Sequence, residues 1–334
     1  MENQYIKQFP DLMKGKKIMY VHGFLSSAQS GTVRRISLTF PQAEVIARDL
    51  PPQPEEAMAL LRALCEAEQP HLIIGTSMGG MLAEMLYGYD RILVNPAFRM
   101  GETMAERGLL GKQRFTNARA DGQTELMVTK TLQKSYRDMT QNCFLHAADK
   151  GEQSRVFGLF GDQDDTGDNY PLFRAHYPNA IHFHGGHHLS DASFMSAVVP
   201  VVRWIDDKQQ GRERQIVYID YPTLMDSYGH QRSSMNKCFK ALVERYSVYI
   251  TAPAPTALAE SMAQAARWVE ENLSVPAWNR VIYTCNPALL YGDFRIALSP
   301  SSGFMGTEIA LGSDAFKTWE DIIVYFERLQ GIAG

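Results

Sequence analysis

The sequence predicts an α/β protein of two domains, each built on a parallel sheet. Short apolar, β-branched runs alternate with helical patterns along most of the chain, which is typical of parallel α/β sheets. A chain of 334 residues exceeds the usual size of one domain, and a highly polar stretch interrupts the alternation shortly after Trp204. We therefore expect a first domain over residues 1–207, a linker over 208–214 and a second, smaller domain over 215–334.

Six apolar runs predict the strands of the first sheet, which should carry helices on both faces. Between the second and third runs, Pro54, Glu55 and Glu56 open a helical pattern, as expected for the right-handed crossover that joins parallel strands. Residues 98–150 have mixed polarity and are predicted to form a small helical cap inserted in this domain. The six runs cover residues 17–21, 45–47, 72–74, 92–94, 155–160 and 180–183.

Composition excludes several classes of function. The formal net charge is −4, with acidic and basic residues interspersed, so no cationic face is expected for nucleic acid or anionic lipid. No apolar run approaches membrane-spanning length, and the first residues lack the pattern of a secretory leader. We therefore expect a cytoplasmic protein whose partners are small molecules or proteins, with homo-oligomers left open. The cysteines lack CxxC spacing, which argues against a disulfide framework or structural zinc; they are Cys65, Cys143, Cys238 and Cys285.

One serine stands at a sharp change from strand to helix. Gly75-Thr76-Ser77-Met78-Gly79 follows the apolar run 72–74 and opens a helical pattern over residues 81–87. A GxSxG sequence in this setting is typical of a nucleophile elbow, and Gly75 and Gly79 would keep the crowded turn free of side chains. The alternative interpretation is that Ser77 only caps the helix that follows.

A carboxylate follows the serine, as the Ser-Asp-His order of this kind of triad requires. Residues 161–166 form an acidic loop after the run 155–160, and Asp164 is the predicted triad acid. Asp162, Asp165 and Asp168 are its alternatives, and an ordinary solvated turn is the competing interpretation of the whole loop.

The predicted general base is His188, in the turn Gly185-Gly186-His187-His188 before the last helix of the domain. Imidazole suits this role because its pKa lies near neutrality. Because His182, His184 and His187 lie close by, a metal site is the alternative. We favour a triad without metal or cofactor, since strand alternation alone puts His182 and His184 on one face.

The third requirement of acyl transfer is a pair of backbone amides that bind the developing oxyanion. His22-Gly23-Phe24 follows the first strand run, at the edge of the sheet where the elbow is expected. The amides of Phe24 and Met78 are therefore predicted to form the oxyanion hole beside Ser77.

These motifs resemble those of the YqiA/YcfP-type bacterial esterases. The resemblance covers about residues 15–207 and is carried by residues 20–27, by residues 75–80 and by Val94-Asn95-Pro96-Ala97. It implies a compact α/β-hydrolase fold that cleaves a carboxylic ester or thioester, with catalytic roles for Ser77, Asp164 and His188. A Gly-Gly-x-His pattern in that family favours His188 over His187.

The second domain resembles the deoxyribonucleotidase-like branch of the haloacid dehalogenase superfamily, which has a Rossmann-type α/β fold. Asp220, Thr251 and Asp293 and their surrounding residues carry the resemblance. It implies phosphatases that use two aspartates of a DxD motif and a bound Mg²⁺ for phosphoryl transfer. Strand runs at residues 216–219, 248–253 and 280–284 and helical patterns over 235–245 and 257–273 fit such a domain.

Several parts of that phosphatase chemistry are missing here. Pro222 stands at the position of the second aspartate, and Ile296-Ala297-Leu298 stands where the family has Ile-Asp-Asp for the metal. No lysine occurs between Lys240 and Lys317, so the phosphate-neutralising lysine is absent. We therefore expect a degenerate domain that is either a structural appendage or a ligand sensor. For the whole chain a serine ester hydrolase is predicted; a residual nucleotidase and a noncatalytic interaction protein are the alternatives.

Overall fold

The computed structural model describes residues 11–166, 169–254, 259–300, 303–329 and 331. The chain divides into two compact units, Met1–Asp206 and Asp207–Gly334. Each unit contains a parallel sheet with helices between its strands, so the predicted fold class is confirmed. Among the described helices, none combines the length and the apolar character that crossing a membrane requires.

The first unit is built on a six-stranded parallel sheet. Its strands, with those of a separate hairpin, are β1 Lys17–Val21, β2 Glu44–Ala47, β3 Leu72–Thr76, β4 Arg91–Val94, β5 Gly111–Arg114, β6 Glu125–Val128, β7 Val156–Gly161 and β8 Ala180–Phe183. The order across the parallel sheet is β2-β1-β3-β4-β7-β8. All six predicted strands are present. β3 and β4 lie in the middle and are almost wholly buried, as continuous apolar runs in a covered parallel sheet should be.

Helices connect these strands. The crossover helix Pro54–Glu68 begins with proline and two glutamates and buries Ala57, Met58, Leu61 and Cys65 along one face, which is the amphipathic pattern of a helix packed on a sheet. The other helices of this unit are Gly31–Thr39, Met78–Glu84, Met100–Glu106, Lys130–Thr140, Lys150–Gln153, Tyr170–Arg174, Asp191–Ser193 and Val199–Gln210, with a π-helical turn at Phe194–Val198.

The segment 98–150 is not purely helical, which corrects the predicted helical cap. Between the helices Met100–Glu106 and Lys130–Thr140, strands β5 and β6 form an antiparallel hairpin. The residues of β5, Gly111-Lys112-Gln113-Arg114, include no apolar side chain. The sequence therefore offered no strand signal there, because such signals depend on apolar or β-branched residues.

The predicted linker over 208–214 is also partly wrong, because the helix Val199–Gln210 continues through its first three residues. The guanidinium of Arg214 donates two hydrogen bonds, of 2.6 and 2.9 Å, to the carboxylate of Asp207. Residues 208–210 are therefore the end of a helix, and residues 211–214 follow it outside regular secondary structure.

The second unit is a five-stranded parallel sheet. Its strands are β9 Ile216–Asp220, β10 Ser247–Pro253, β11 Val281–Thr284, β12 Phe294–Ala297 and β13 Thr307–Ala310, in the order β11-β10-β9-β12-β13. The helices are Met235–Arg245, Ala259–Leu273 and Trp319–Leu329. The predicted helix over 257–273 is observed from Ala259, and its first two predicted residues lie outside the described part of the chain.

Candidate active site

Ser77 occupies a strained turn between strand β3 and the helix Met78–Glu84. Its backbone angles are φ 54° and ψ −123°, a combination that residues other than glycine rarely adopt. Two backbone bonds hold the turn: the Ser77 amide donates to Val94 and the Ala97 amide donates to the Ser77 carbonyl. The Ser77 hydroxyl makes no capping hydrogen bond to the helix. The helix-cap alternative is therefore wrong, and the hydroxyl is left for another partner.

The glycines of this turn are required by close backbone contacts. A Cβ atom at Gly79 would overlap the carbonyl oxygens of Val21 and His22, and one at Gly75 would overlap the carbonyl of Gly79. The end of strand β1 thus lies directly against the start of the helix. This contact brings His22-Gly23-Phe24 next to Ser77, because a Cβ at Gly23 would lie 3.3 Å from the Ser77 Cβ.

The hydroxyl of Ser77 meets an imidazole that in turn meets a carboxylate. His187 Nε2 lies 3.0 Å from Ser77 Oγ, and His187 Nδ1 lies 3.1 Å from both carboxylate oxygens of Asp164. Ser77 follows β3, Asp164 follows β7 and His187 follows β8, so the carboxyl ends of three parallel strands supply one residue each. This order along the chain and this geometry are those of an α/β-hydrolase triad.

Asp164 is held as an anion by its neighbours. Burial alone would raise the pKa of this carboxyl, but hydrogen bonds from His187 and from Thr166 outweigh burial, and the pKa lies below its ordinary value. Thr166 donates to Asp164 Oδ1 from both its hydroxyl, at 2.6 Å, and its amide, at 2.9 Å. An ionised carboxylate at Nδ1 fixes the tautomer whose Nε2 is free to accept a proton from serine.

The histidine in this chain of contacts is His187, which corrects the prediction of His188. The His188 ring stands at 77° to that of His187, with its centroid 5.3 Å away, and its side chain is exposed. Among the described contacts of Ser77 and Asp164, His188 makes none. Neighbouring residues in a turn point in different directions, so the conformation of the turn decides which ring reaches Ser77. The sequence pattern did not reveal that conformation.

The other aspartates of the acidic loop have partners of their own. Asp162 accepts from His184 Nδ1 at 2.6 Å, and Asp165 forms a solvent-exposed ion pair with Arg107 at 3.1 Å. Asp168 lies outside the described residues. The metal alternative has no support in the described part of the chain, where no group of three potential ligands is arranged around a common point.

His22 stabilises the backbone next to Ser77 through hydrogen bonds of its ring. The Leu50 amide donates to His22 Nε2 at 3.1 Å, so the proton of a neutral ring sits on Nδ1, which lies 2.8 Å from the Gly23 carbonyl and donates to it. Burial lowers the pKa of His22, which favours this neutral form. His22 therefore fixes the backbone at Gly23 and Phe24. In the described structure no backbone bond outside the regular helices and strands uses the amide of Phe24 or Met78.

Asn95 is a site residue that the sequence reasoning missed. It is 3% exposed and adopts a left-handed φ of 43°. Its side-chain amide donates to the carbonyls of Gly186 and His187 at 3.0 Å each, while its oxygen accepts from the Gly161 amide at 2.7 Å. One side chain thus ties the end of β7, which leads to Asp164, to the turn that carries His187. The sequence signal was Asn95-Pro96 directly after strand β4, a place where polar residues often have a positioning role.

Comparison with known proteins gives matches that each cover part of the chain. Residues 17–166 match the uncharacterised protein family UPF0227. A "Putative 5'(3')-deoxyribonucleotidase" of Vibrio phage KVP40 is 25% identical over 135 residues, covering 40% of this chain and 76% of the phage protein. Among solved structures, Est1E of Butyrivibrio proteoclasticus with ferulic acid has 12% identity and a TM-score of 0.41, covering 61% of this chain and 91% of that chain. The esterase domain of a Rhodothermus marinus protein has 17% identity and a TM-score of 0.38, covering 58% and 88%.

In the second unit the three predicted vestigial residues do not come together. Asp220 ends strand β9 and Thr251 stands opposite it on β10, with Thr251 Oγ1 donating to Asp220 Oδ1 at 2.5 Å. Asp293 instead accepts from the amide of Ile216, the first residue of β9, at 2.7 Å. Asp293 is therefore at the opposite end of the strand from Asp220. A cavity of about 480 Å³ opens at the Asp220 end, lined by Asp220, Pro222, residues 251–254, Thr284, Cys285 and Pro287.

Proposed function

We propose that this protein is a serine hydrolase that cleaves a small carboxylic ester or thioester through Ser77, His187 and Asp164. The observation that carries the proposal is the continuous contact from Ser77 Oγ to His187 Nε2 and from His187 Nδ1 to Asp164. The strained φ of Ser77 supports it, because such strain is found where a nucleophile must be held exposed. The proposal does not depend on the description of the Rhodothermus protein as an esterase domain, although that description agrees with it.

The first half of the proposed reaction forms an acyl-enzyme. Ser77 Oγ attacks the carbonyl carbon while His187 Nε2 takes the hydroxyl proton, and Asp164 stabilises the imidazolium through Nδ1. The amides of Phe24 and Met78 donate to the oxyanion of the tetrahedral intermediate. His187 then gives its proton to the leaving alcohol or thiol, and the carbon–oxygen or carbon–sulfur bond breaks.

The second half releases the acid. Water attacks the acyl carbonyl, His187 takes its proton, and Ser77 Oγ leaves with that proton restored. The chain's own residues supply each proton transfer in this scheme, and the proposal invokes no cofactor. Tyr136 packs against both proposed amide donors, since its ring meets that of Phe24 edge-on with centroids 6.1 Å apart and its hydroxyl lies 3.0 Å from the Met78 sulfur. The helix Lys130–Thr140 thus contacts the side chains of both residues whose amides are proposed to bind the oxyanion.

The test is hydrolysis of p-nitrophenyl esters from acetate to decanoate, with acetyl-CoA in parallel, by wild type and Ser77→Ala. We expect turnover by wild type and a loss of roughly 10³-fold or more in Ser77→Ala. Labelling with a fluorophosphonate provides a second readout that does not depend on the right substrate. Labelling that persists in Ser77→Ala would remove Ser77 from the mechanism, and a folded wild type that neither labels nor hydrolyses would favour a noncatalytic interaction protein.

A further inference from the structure

Four neighbouring strands of the second unit place four polar side chains on one face of the sheet. Thr251 stands opposite Asp220, and Arg295 stands opposite both Tyr218 and Glu308. Tyr218 and Asp220 are two residues apart on β9, so their side chains share a face. Arg295 is therefore on the same face as Asp220, and its long side chain reaches forward along the sheet toward it.

The guanidinium of Arg295 lies between two carboxylates. It forms a two-point contact with Asp220, with Nε 3.1 Å from Oδ1 and Nη2 2.6 Å from Oδ2, while Nη1 lies 2.6 Å from Glu308 Oε1. The Arg295 side chain is only 4% exposed, and those of Asp220 and Glu308 are below 20%. Two-point pairing of this kind is the strongest arrangement that arginine and a carboxylate can make.

The charged form of Arg295 is favoured despite its burial. Burial alone would lower the pKa of the guanidinium, but hydrogen bonds and charges from Asp220 and Glu308 outweigh burial and raise the pKa. The guanidinium of Arg295 thus carries a positive charge between the carboxylates of Asp220 and Glu308. A divalent cation bound between two carboxylates would neutralise them in the same way.

The residues at this point do not fit the Mg²⁺ that related phosphatases use. Magnesium needs carboxylate oxygens that are free to enter an octahedral shell. Both oxygens of Asp220 are already engaged, Oδ1 by Thr251 and Arg295 and Oδ2 by Arg295. Pro222 supplies no side-chain ligand, and Ala297 and Leu298 offer no carboxylate near the end of β12.

We propose that the Arg295 guanidinium replaces the divalent cation, so that this cleft binds neither Mg²⁺ nor a phosphate monoester. The three charged groups leave a net charge of −1 beside the cavity, which repels a phosphate. The lining is otherwise made of prolines, alanines, threonines and Cys285. The Asp220 carboxylate is thereby kept as a structural anion, paired within its own sheet instead of poised to attack phosphorus.

The deciding measurement is Mn²⁺ binding to the full-length protein, followed by electron paramagnetic resonance. We expect wild type and Asp220→Asn to bind millimolar Mn²⁺ equally weakly, and Arg295→Ala to bind at least about tenfold more tightly because two carboxylates are released. The gain should disappear in the double variant Arg295→Ala, Asp220→Asn. Arg280→Ala, which removes another partly buried arginine of the same unit, is the matched control and should gain nothing.

The comparison of wild type with Asp220→Asn can overturn the proposal even if Arg295→Ala fails to fold. Mn²⁺ binding by wild type that is lost in Asp220→Asn would show that the cation site is intact. A folded Arg295→Ala that binds Mn²⁺ no better than wild type would show that Arg295 does not occupy a cation's place. Calorimetric titration of wild type with inorganic phosphate tests whether the cleft excludes phosphate. Saturable binding that is changed by Asp220→Asn would contradict the proposal.

Discussion

At the level of single residues, the two adjacent histidines give the sharpest prediction. His187→Ala should lower kcat/KM by about 10²–10⁴-fold, since the general base contacting Ser77 at 3.0 Å would be gone. His188→Ala should stay close to wild type because that exposed ring touches neither Ser77 nor Asp164. Ester hydrolysis by the two variants, each checked for native circular dichroism, decides between them. A large loss in His188→Ala with His187→Ala active would reverse the assignment.

Asn95 should act on catalysis through position. Asn95→Ala leaves the partly buried Gly161 amide without its acceptor and removes a donor from the Gly186 and His187 carbonyls. We expect a fall in kcat that is larger than any change in KM. The free energy of unfolding should drop by about 1–3 kcal/mol. Urea unfolding and steady-state kinetics measure both quantities. Asn117→Ala, which removes an asparagine that donates to the side chains of Ser26 and Thr116, is the control. Equal losses of stability without a specific fall in kcat would make Asn95 purely structural.

Two of the three residues in the proposed triad could be predicted from the sequence, and the third could not. The sequence could single out Ser77 and Asp164, which contact one histidine in the structure, because each follows a strand that apolar residues mark clearly. A GxSxG turn is also recognisable from its glycines. His187 was missed because it differs from His188 by one position in a turn. The contacts that orient that turn come from Asn95, more than ninety residues earlier in the chain.

At the level of elements, the junction of β1, β3 and the helix Met78–Glu84 should not tolerate a larger residue. Gly79→Ala would force its Cβ into the carbonyls of Val21 and His22. We expect loss of activity and a destabilisation of at least about 1–3 kcal/mol from overpacking, measured by urea unfolding. Gly31→Ala, at the start of another helix, meets nothing within 4 Å and should be neutral or slightly stabilising. Normal stability and activity in Gly79→Ala would mean that β1 does not press on the helix.

Element prediction succeeded where apolar periodicity was strong and failed where it was not. The strands of the first sheet follow from short continuous apolar runs, and the helix Met235–Arg245 follows from buried residues three to four apart. Strand β5 alternates in exposure but has no apolar side chain, whereas β6 is mostly apolar, so the pairing of the hairpin is set by tertiary contact. One such contact is the bond from the Thr116 amide to the Leu25 carbonyl, which joins the hairpin region to the loop after Phe24.

At the level of the whole molecule, each unit has an apolar core of its own. One core gathers buried residues from Met19 to Ala180, and the other gathers residues from Val217 to Phe326. A unit with its own core can fold alone. The proposed catalytic residues Ser77, Asp164 and His187 all belong to the first unit, and the Arg295 cluster belongs wholly to the second.

A chain ending at Gln210, where the helix Val199–Gln210 ends, should therefore fold and hydrolyse esters. Its last helix buries Val201, Val202 and Ile205, and Asp206 bonds to Lys16 at 2.7 Å, so cutting earlier would strip packing from the first unit. We expect kcat/KM within roughly threefold of the full chain, measured with the same p-nitrophenyl esters, and Ser77→Ala in the short chain is the control. A short chain that unfolds cooperatively yet lacks activity would show that the second unit contributes to catalysis, whereas retained activity confines the reaction to the first.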